Sequence, residues 1–246
     1  MTRLEICIDN LESLFTAQQA GADRIELCSA LGLGGLTPSY GFMQLAARHA
    51  SVPVYAMIRP RAGDFCFSAA EFELMLLDIA AARSAGLQGV VVGLLDEGGR
   101  VPAAQLQQLV EAAGPLGVTF HRAIDLSSNW RADLETIVAA GCERILSSGH
   151  APTALAGLET LQAMQQTLAG RASLMPGART MLSFSDCMPG RGLIQQIHQV
   201  DAARGDQTLE VDLVQGSASS ITGSVRNGTG RPVSGACVAA YLPNNL

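Results

Sequence analysis

Lysine is missing altogether: the sixteen basic residues of this 246-residue chain are all arginine. A Schiff-base mechanism needs a lysine amine, and so does a Walker-type phosphate loop. Lysine-dependent aldolases, pyridoxal-phosphate enzymes and P-loop nucleotide binders are therefore excluded. Aromatics are scarce at 4%, no basic stripe carries them, and the net charge is −6, so nucleic-acid binding has no support. No window approaches the roughly eighteen uninterrupted apolar residues of a membrane span. The charged start, MTRLEICIDN, does not read as a secretory signal. The expected compartment is the cytoplasm. The six cysteines form no CxxC pair and no zinc-finger spacing, so reduced, mostly buried thiols are expected.

What the chain does have is apolar residues, 48% against 15% charged, as a well-buried globular fold requires. It also has a rhythm. AQQAGADRIELCS, AARSAGLQGVVVG and TIVAAGCERILSSG each run from a helix end through a glycine (Gly21, Gly86, Gly141) and three residues into an apolar strand. Glycine just past a helix suits the left-handed position where a Cβ would clash. Extending outward predicts strands near 4–8, 24–28, 54–58, 89–92, 118–121, 144–147 and 173–175. Helices fall near 11–20, 40–49, 69–85, 103–113, 131–140 and 153–168, with Ser39 and Ser68 as N-caps. Seven strands alternating with six helices imply an α/β fold with a parallel sheet, best matched by a TIM-type (β/α)8 barrel. A doubly wound open sheet is the alternative, weakened because no GxGxxG follows the first strand. The rhythm stops after about residue 177. The body is thus 1–177, and 178–246 is a divergent segment with exposed-strand patterns at 209–215 and 220–227 and a further strand at 233–242. An eighth barrel strand is not legible there.

Inward residues at the C-terminal strand ends build the active site of such a barrel. Glu5 and Cys7 on the first strand share a face, as do Glu26 and Cys28 on the second. Two carboxylates and two thiols are thus expected close together, for chemistry or as arginine-paired acids and core-filling thiols. The third strand leads into Arg59 and Arg61, donor forks for a carboxylate or phosphate, with Arg59 alternatively an ion-pair partner for Glu26 or Glu5. His121 is the one histidine at a predicted strand end, a candidate general acid, base or ligand, followed by Arg122 and Asp125. Ser147 and Ser148, in LSSGHAP, suit a small-residue anion pocket.

Taken together, LEICID, GADRIELCSALGLGGLTPS, MIRPRAGDF, VTFHRA and RILSSG, in this order, resemble the CutC family, named for copper homeostasis, over about 1–177. The resemblance implies a TIM-type barrel, a cytosolic protein, a homodimer and a role in copper handling. It also implies Cys7 and Cys28 as the matches to the family's proposed copper-binding cysteines. Cu(I) is soft and prefers sulfur donors, and Met57 has the parity of a third one. Glu5, Glu26, Arg59, His121 and Arg122 match the family's pocket too, and as a set look more like a catalytic cavity than a metal carrier. From Ala178 onward the family's ending, with its glycine-rich turn and histidine-bearing strand, is absent. The leading expectation is a copper-homeostasis barrel binding Cu(I) through Cys7 and Cys28. The alternatives are a barrel enzyme acting on a small anionic metabolite, phosphate or carboxylate, and an inactive truncated relative.

Overall fold

The computed structural model describes residues 4–177, 195–198, 211–215 and 221–225. Its first part alternates strand and helix: β1 (Leu4–Ile8), α1 (Leu11–Gln19), β2 (Arg24–Leu27), α2 (Tyr40–His49), β3 (Val54–Met57), α3 (Ala69–Ala85) and β4 (Gly89–Val92). The alternation continues through α4 (Ala103–Ala113), β5 (Gly117–Phe120), α5 (Trp130–Ala140), β6 (Arg144–Ser147), α6 (Leu158–Leu168) and β7 (Ser173–Pro176). Each strand pairs in parallel with the next, from β1 to β7, giving a curled seven-stranded sheet of the TIM-barrel type.

Local chemistry sets the joints. The side chain of Ser39 caps α2, and Ser68 caps α3 in a reciprocal box with Glu71. Gly86 and Gly141 end α3 and α5 with φ of 84° and 99°, the left-handed conformation expected of them. Within residues 4–177 one boundary differs from the sequence expectation by more than a single residue. Helix α6 begins at Leu158 rather than near 153, because 151–157 are spent on turns that press Gly157 against Gly149. A Cβ on Gly157 would lie 2.0 Å from the Ser148 carbonyl oxygen.

The far edge of β1 carries β8 (Gln195–His198), which runs antiparallel to it with Glu5 opposite Ile197. No periodicity in the sequence marks this strand. The patterns at 209–215 and 220–227 appear as β9 (Val211–Gln215) and β10 (Ile221–Val225), an antiparallel pair. The expected strand at 233–242 lies outside the described residues.

Period-two alternation divides the buried side chains into two sets. Ile6, Ile8, Ile25, Leu27, Val54, Ala56, Val90, Val92 and Phe120 pack outward against Leu14, Met43, Ile79, Leu106 and Ile137 of the helices. Cys7, Cys28, Tyr55, Met57, Val91, Leu146 and Met175 form a second cluster on the inner face. That inner face positions the site.

Candidate functional site

The inner face is layered. At its floor the register sets Glu5 of β1 opposite Arg24 of β2, and the two form a buried ion pair. Arg24 also reaches Met175 Sδ at 3.3 Å and lies over the Tyr55 ring, 5.1 Å from its centre. Arg144 covers the same ring at 4.4 Å. Tyr55 fits because two neighbours lack side chains: a Cβ on Gly89 would stand 1.9 Å from the ring, and one on Gly117 would stand 2.3 Å from its hydroxyl.

One layer up, Cys7 lies opposite Glu26. Cys7 Sγ donates to Glu26 Oε1 at 3.2 Å, and Cys28 Sγ reaches the same oxygen at 3.6 Å. Burial, then the nearby charge of Glu5, pushes the Glu26 carboxyl up to about 7. Burial drives the Cys7 thiol well above its ordinary value. Against the lowering hydrogen bond from Cys7, burial and the Glu26 charge push Cys28 up to about 11. The thiols are therefore protonated donors that orient Glu26, whose Oε2 is buried with no partner among the described residues.

At the mouth, Arg59 is pinned through its terminal nitrogens to the carbonyls of Leu33, Gly35 and Gly63, and it stacks on Phe65. Its Nε has no partner among the described residues. His121 rests on Phe65 with ring centres 4.8 Å apart. A Cβ on Gly93 would fall 2.3 Å from the imidazole, so that glycine makes room for the ring. His121 Nδ1 accepts from the Ala123 amide at 3.1 Å, which puts the ring proton on Nε2. Burial, then the Arg59 charge, pushes His121 down to about 3, so the ring is neutral, and Nε2 is buried without a partner. A pocket of about 470 Å³, its open mouth included, is lined by Cys7, Glu26, Met57, Arg59, Phe65, His121 and Arg122, with Leu31, Gly34 and Leu146.

Cys7, Glu26, Arg59, His121 and Arg122 thus meet in one place, with Cys28 against Glu26. The other expected site residues stand apart from the pocket lining. Glu5 is engaged by Arg24 on the floor. Arg61 pairs with Asp64 and Glu71 and binds the Cys66 carbonyl, bracing the loop before α3. Asp125 accepts from Arg122 Nε, from the hydroxyls of Ser147 and Ser148, and from the amides of Ser148 and His150. The small-residue loop after β6 therefore already holds a carboxylate of the protein's own. Against the raising effect of burial, the Ser147 and Ser148 hydrogen bonds and Arg122 hold Asp125 below its ordinary value. Arg59 carries no ion pair to a lumen acid among the described residues. Sequence reasoning passed over Arg24, although it shares a face with Glu26 and Cys28, and Phe65, which no periodicity marks.

A family model described as CutC family matches residues 2–199. The chain belongs to the CutC family. It is 55% identical over 196 residues to a CutC family protein of Photobacterium profundum, spanning 80% of each chain. It is also similar to a CutC family protein of Vibrio parahaemolyticus, at 50% identity over 201 residues, covering 80% of this chain and 81% of that one. A crystal structure of CutC from Streptococcus agalactiae, provisionally assigned to copper homeostasis, superposes with a TM-score of 0.69 at 30% identity, covering 72% of this chain and 88% of that one. An aldolase, QR15, shares the fold alone, with a TM-score of 0.52 at 15% identity over 69% of this chain and 73% of that one. The CutC match runs past the point where the helix–glycine–strand rhythm stops, through β8 to residue 199. Among the described residues, no three His, Cys, Asp or Glu side chains converge as a metal cluster, and no helix is long and apolar enough to cross a membrane.

Proposed function

We propose that this CutC-family barrel binds and acts on a small metabolite bearing an anionic oxygen, held in the pocket at the strand ends. One observation carries the reading. Among the described residues, Glu26 Oε2, Arg59 Nε and His121 Nε2 are buried without partners, and all three residues line the same pocket. Each such atom costs about 1–3 kcal/mol when left unsatisfied, a cost that persists in a fold where a ligand recovers it. Two donors and one carboxyl group fit an oxygen-rich ligand, and the apolar walls limit its size. The test is thermal stabilisation of the protein by a panel of small carboxylates and phosphate esters. At least one is expected to raise the melting midpoint of the wild type and to lose that effect in His121→Ala. A panel with no effect on the wild type sinks the reading.

A second reading has its own observation. Cys7 and Cys28 meet on one Glu26 oxygen, and Met57 and Met175 share their buried cluster, so four sulfur side chains lie together. Cu(I) would be cargo here, held by the two thiolates, in keeping with the family's association with copper homeostasis. Because both thiols are held high, uptake must release protons. Titration with Cu(I) against a chromophoric competitor is expected to show stoichiometric binding with proton release. Unchanged affinity in the Cys7→Ser, Cys28→Ser double variant excludes it.

A further inference from the structure

Four buried side-chain atoms lack partners among the described residues; Glu5 Oε1 lies at the floor, and the three in the pocket differ in kind in a way that points to a reaction. Arg59 spends its terminal nitrogens on three backbone carbonyls, so only Nε–H remains for a ligand. His121 spends Nδ1 on the Ala123 amide, so its one remaining function is the Nε2–H donor. Neither group is arranged to carry a proton away: the guanidinium is permanently charged, and the imidazole is locked in one neutral tautomer. The remaining pocket group is a carboxyl. Both thiol hydrogen bonds fall on Glu26 Oε1, which leaves Oε2 as the oxygen free to act.

We propose that the pocket removes a proton from carbon next to a ligand carbonyl, with Glu26 Oε2 as acceptor and His121 Nε2–H and Arg59 Nε–H as donors to the carbonyl oxygen. This rests on the small-oxyanion reading above. In the step, the C–H bond breaks and its proton passes to Glu26. The bonding pair becomes the new carbon–carbon double bond, and the carbonyl π pair moves onto oxygen as an enolate. The two N–H donors stabilise that oxygen without protonating it outright, the role suited to a neutral imidazole. Glu26 then exchanges its proton with solvent and returns one to the same carbon as the carbonyl re-forms, so the turnover reads out as hydrogen exchange. No oxidant, reductant or lysine is required. Phe65, Leu31 and Leu146 line the pocket with apolar surface, and the loss of water there strengthens both hydrogen bonds. The substrate class is therefore a small ketone or aldehyde with hydrogen on the adjacent carbon.

The test is hydrogen–deuterium exchange by proton NMR in D2O, with pyruvate, dihydroxyacetone phosphate and hydroxyacetone as probes. These supply a carboxylate, a phosphate and no second charge, and so separate the sources of the anionic oxygen. The wild type is expected to accelerate exchange of at least one probe. Glu26→Gln, which keeps the shape of the side chain, should slow it by about 10²–10⁴-fold, and His121→Ala by about 10²–10³-fold. Circular dichroism and the melting midpoint verify that each variant folds. Saturation-transfer signals from the same samples report binding. Binding without exchange overturns proton abstraction and leaves the oxyanion reading standing, whereas absence of both overturns the two together. Exchange by Glu26→Gln at the wild-type rate overturns the assignment of the acceptor.

Discussion

Two residues of the pocket are held at opposite ends of the titration range, and their effects on stability oppose each other. Burial and the Glu5 charge raise Glu26 to about 7 in the folded chain, above its ordinary 4.5. The unfolded chain loses this proton first, so stability falls as pH rises from about 4.5 to about 7. His121 is lowered from 6.5 to about 3, so the unfolded chain gains a proton first on acidification, and stability falls as pH drops from about 6.5 to about 3. Between about 4.5 and 6.5 the two slopes cancel in part. The groups facing Glu26 are Glu5 and Cys7 from β1 and Arg24 and Cys28 beside it on β2; those acting on His121 are Arg59 and Asp125. Urea unfolding across this range is expected to show a steeper acid loss in Glu26→Gln and a clear decline with rising pH in His121→Gln. Parallel profiles for both variants and the wild type would refute the assigned shifts. Residue identity alone does not disclose this opposition. Parity put Glu5, Cys7, Glu26 and Cys28 on one face, but the β1–β2 register offsets the two Glu-x-Cys motifs. Glu5 thus faces Arg24 and Cys7 faces Glu26, a pairing that no single strand encodes.

Elements were legible where their chemistry is local. A glycine after a helix and a serine before one act within a turn, and so the joints at Gly86 and Gly141 and the caps at Ser39 and Ser68 stand where the sequence puts them. The short 3₁₀ turn at Arg122–Leu126 was not legible, because Asp125 holds it against the loop after β6, more than twenty residues on. The same distance hides the role of Gly93. It ends β4 in sequence, yet what it accommodates is the imidazole that follows β5. Gly93→Ala is expected to displace that ring, cost about 1–3 kcal/mol in denaturant unfolding, and abolish thermal stabilisation by the anionic panel. A variant that still responds to the panel would show that the ring position is unimportant.

For the molecule as a whole, seven parallel strands follow from the repeated helix–glycine–strand joint, whereas the antiparallel β8 on the outer edge of β1 follows from nothing periodic. Only four residues long, it pairs Gln195 with Cys7 and Ile197 with Glu5, so it supports the strand that bears two pocket-layer residues. Proline at Ile197 removes a backbone donor from this ladder. Ile197→Pro is expected to speed amide hydrogen exchange through β1 while β4 and β5 keep their protection. Unchanged exchange in β1 would mean that the edge does not depend on β8.

The floor of the lumen bears on how the pocket is used. Tyr55, clamped between Arg24 and Arg144 beside the absent side chains of Gly89 and Gly117, fills the floor of the inner face among the described residues. Among the described residues, a molecule held against Glu26 therefore has buried side chains, Glu5, Arg24 and Tyr55, on its floor side. With that floor filled, the depth open to an occupant ends at the Glu26 layer, so a longer molecule would have to extend outward past Arg59 and Phe65 rather than deeper between the strands.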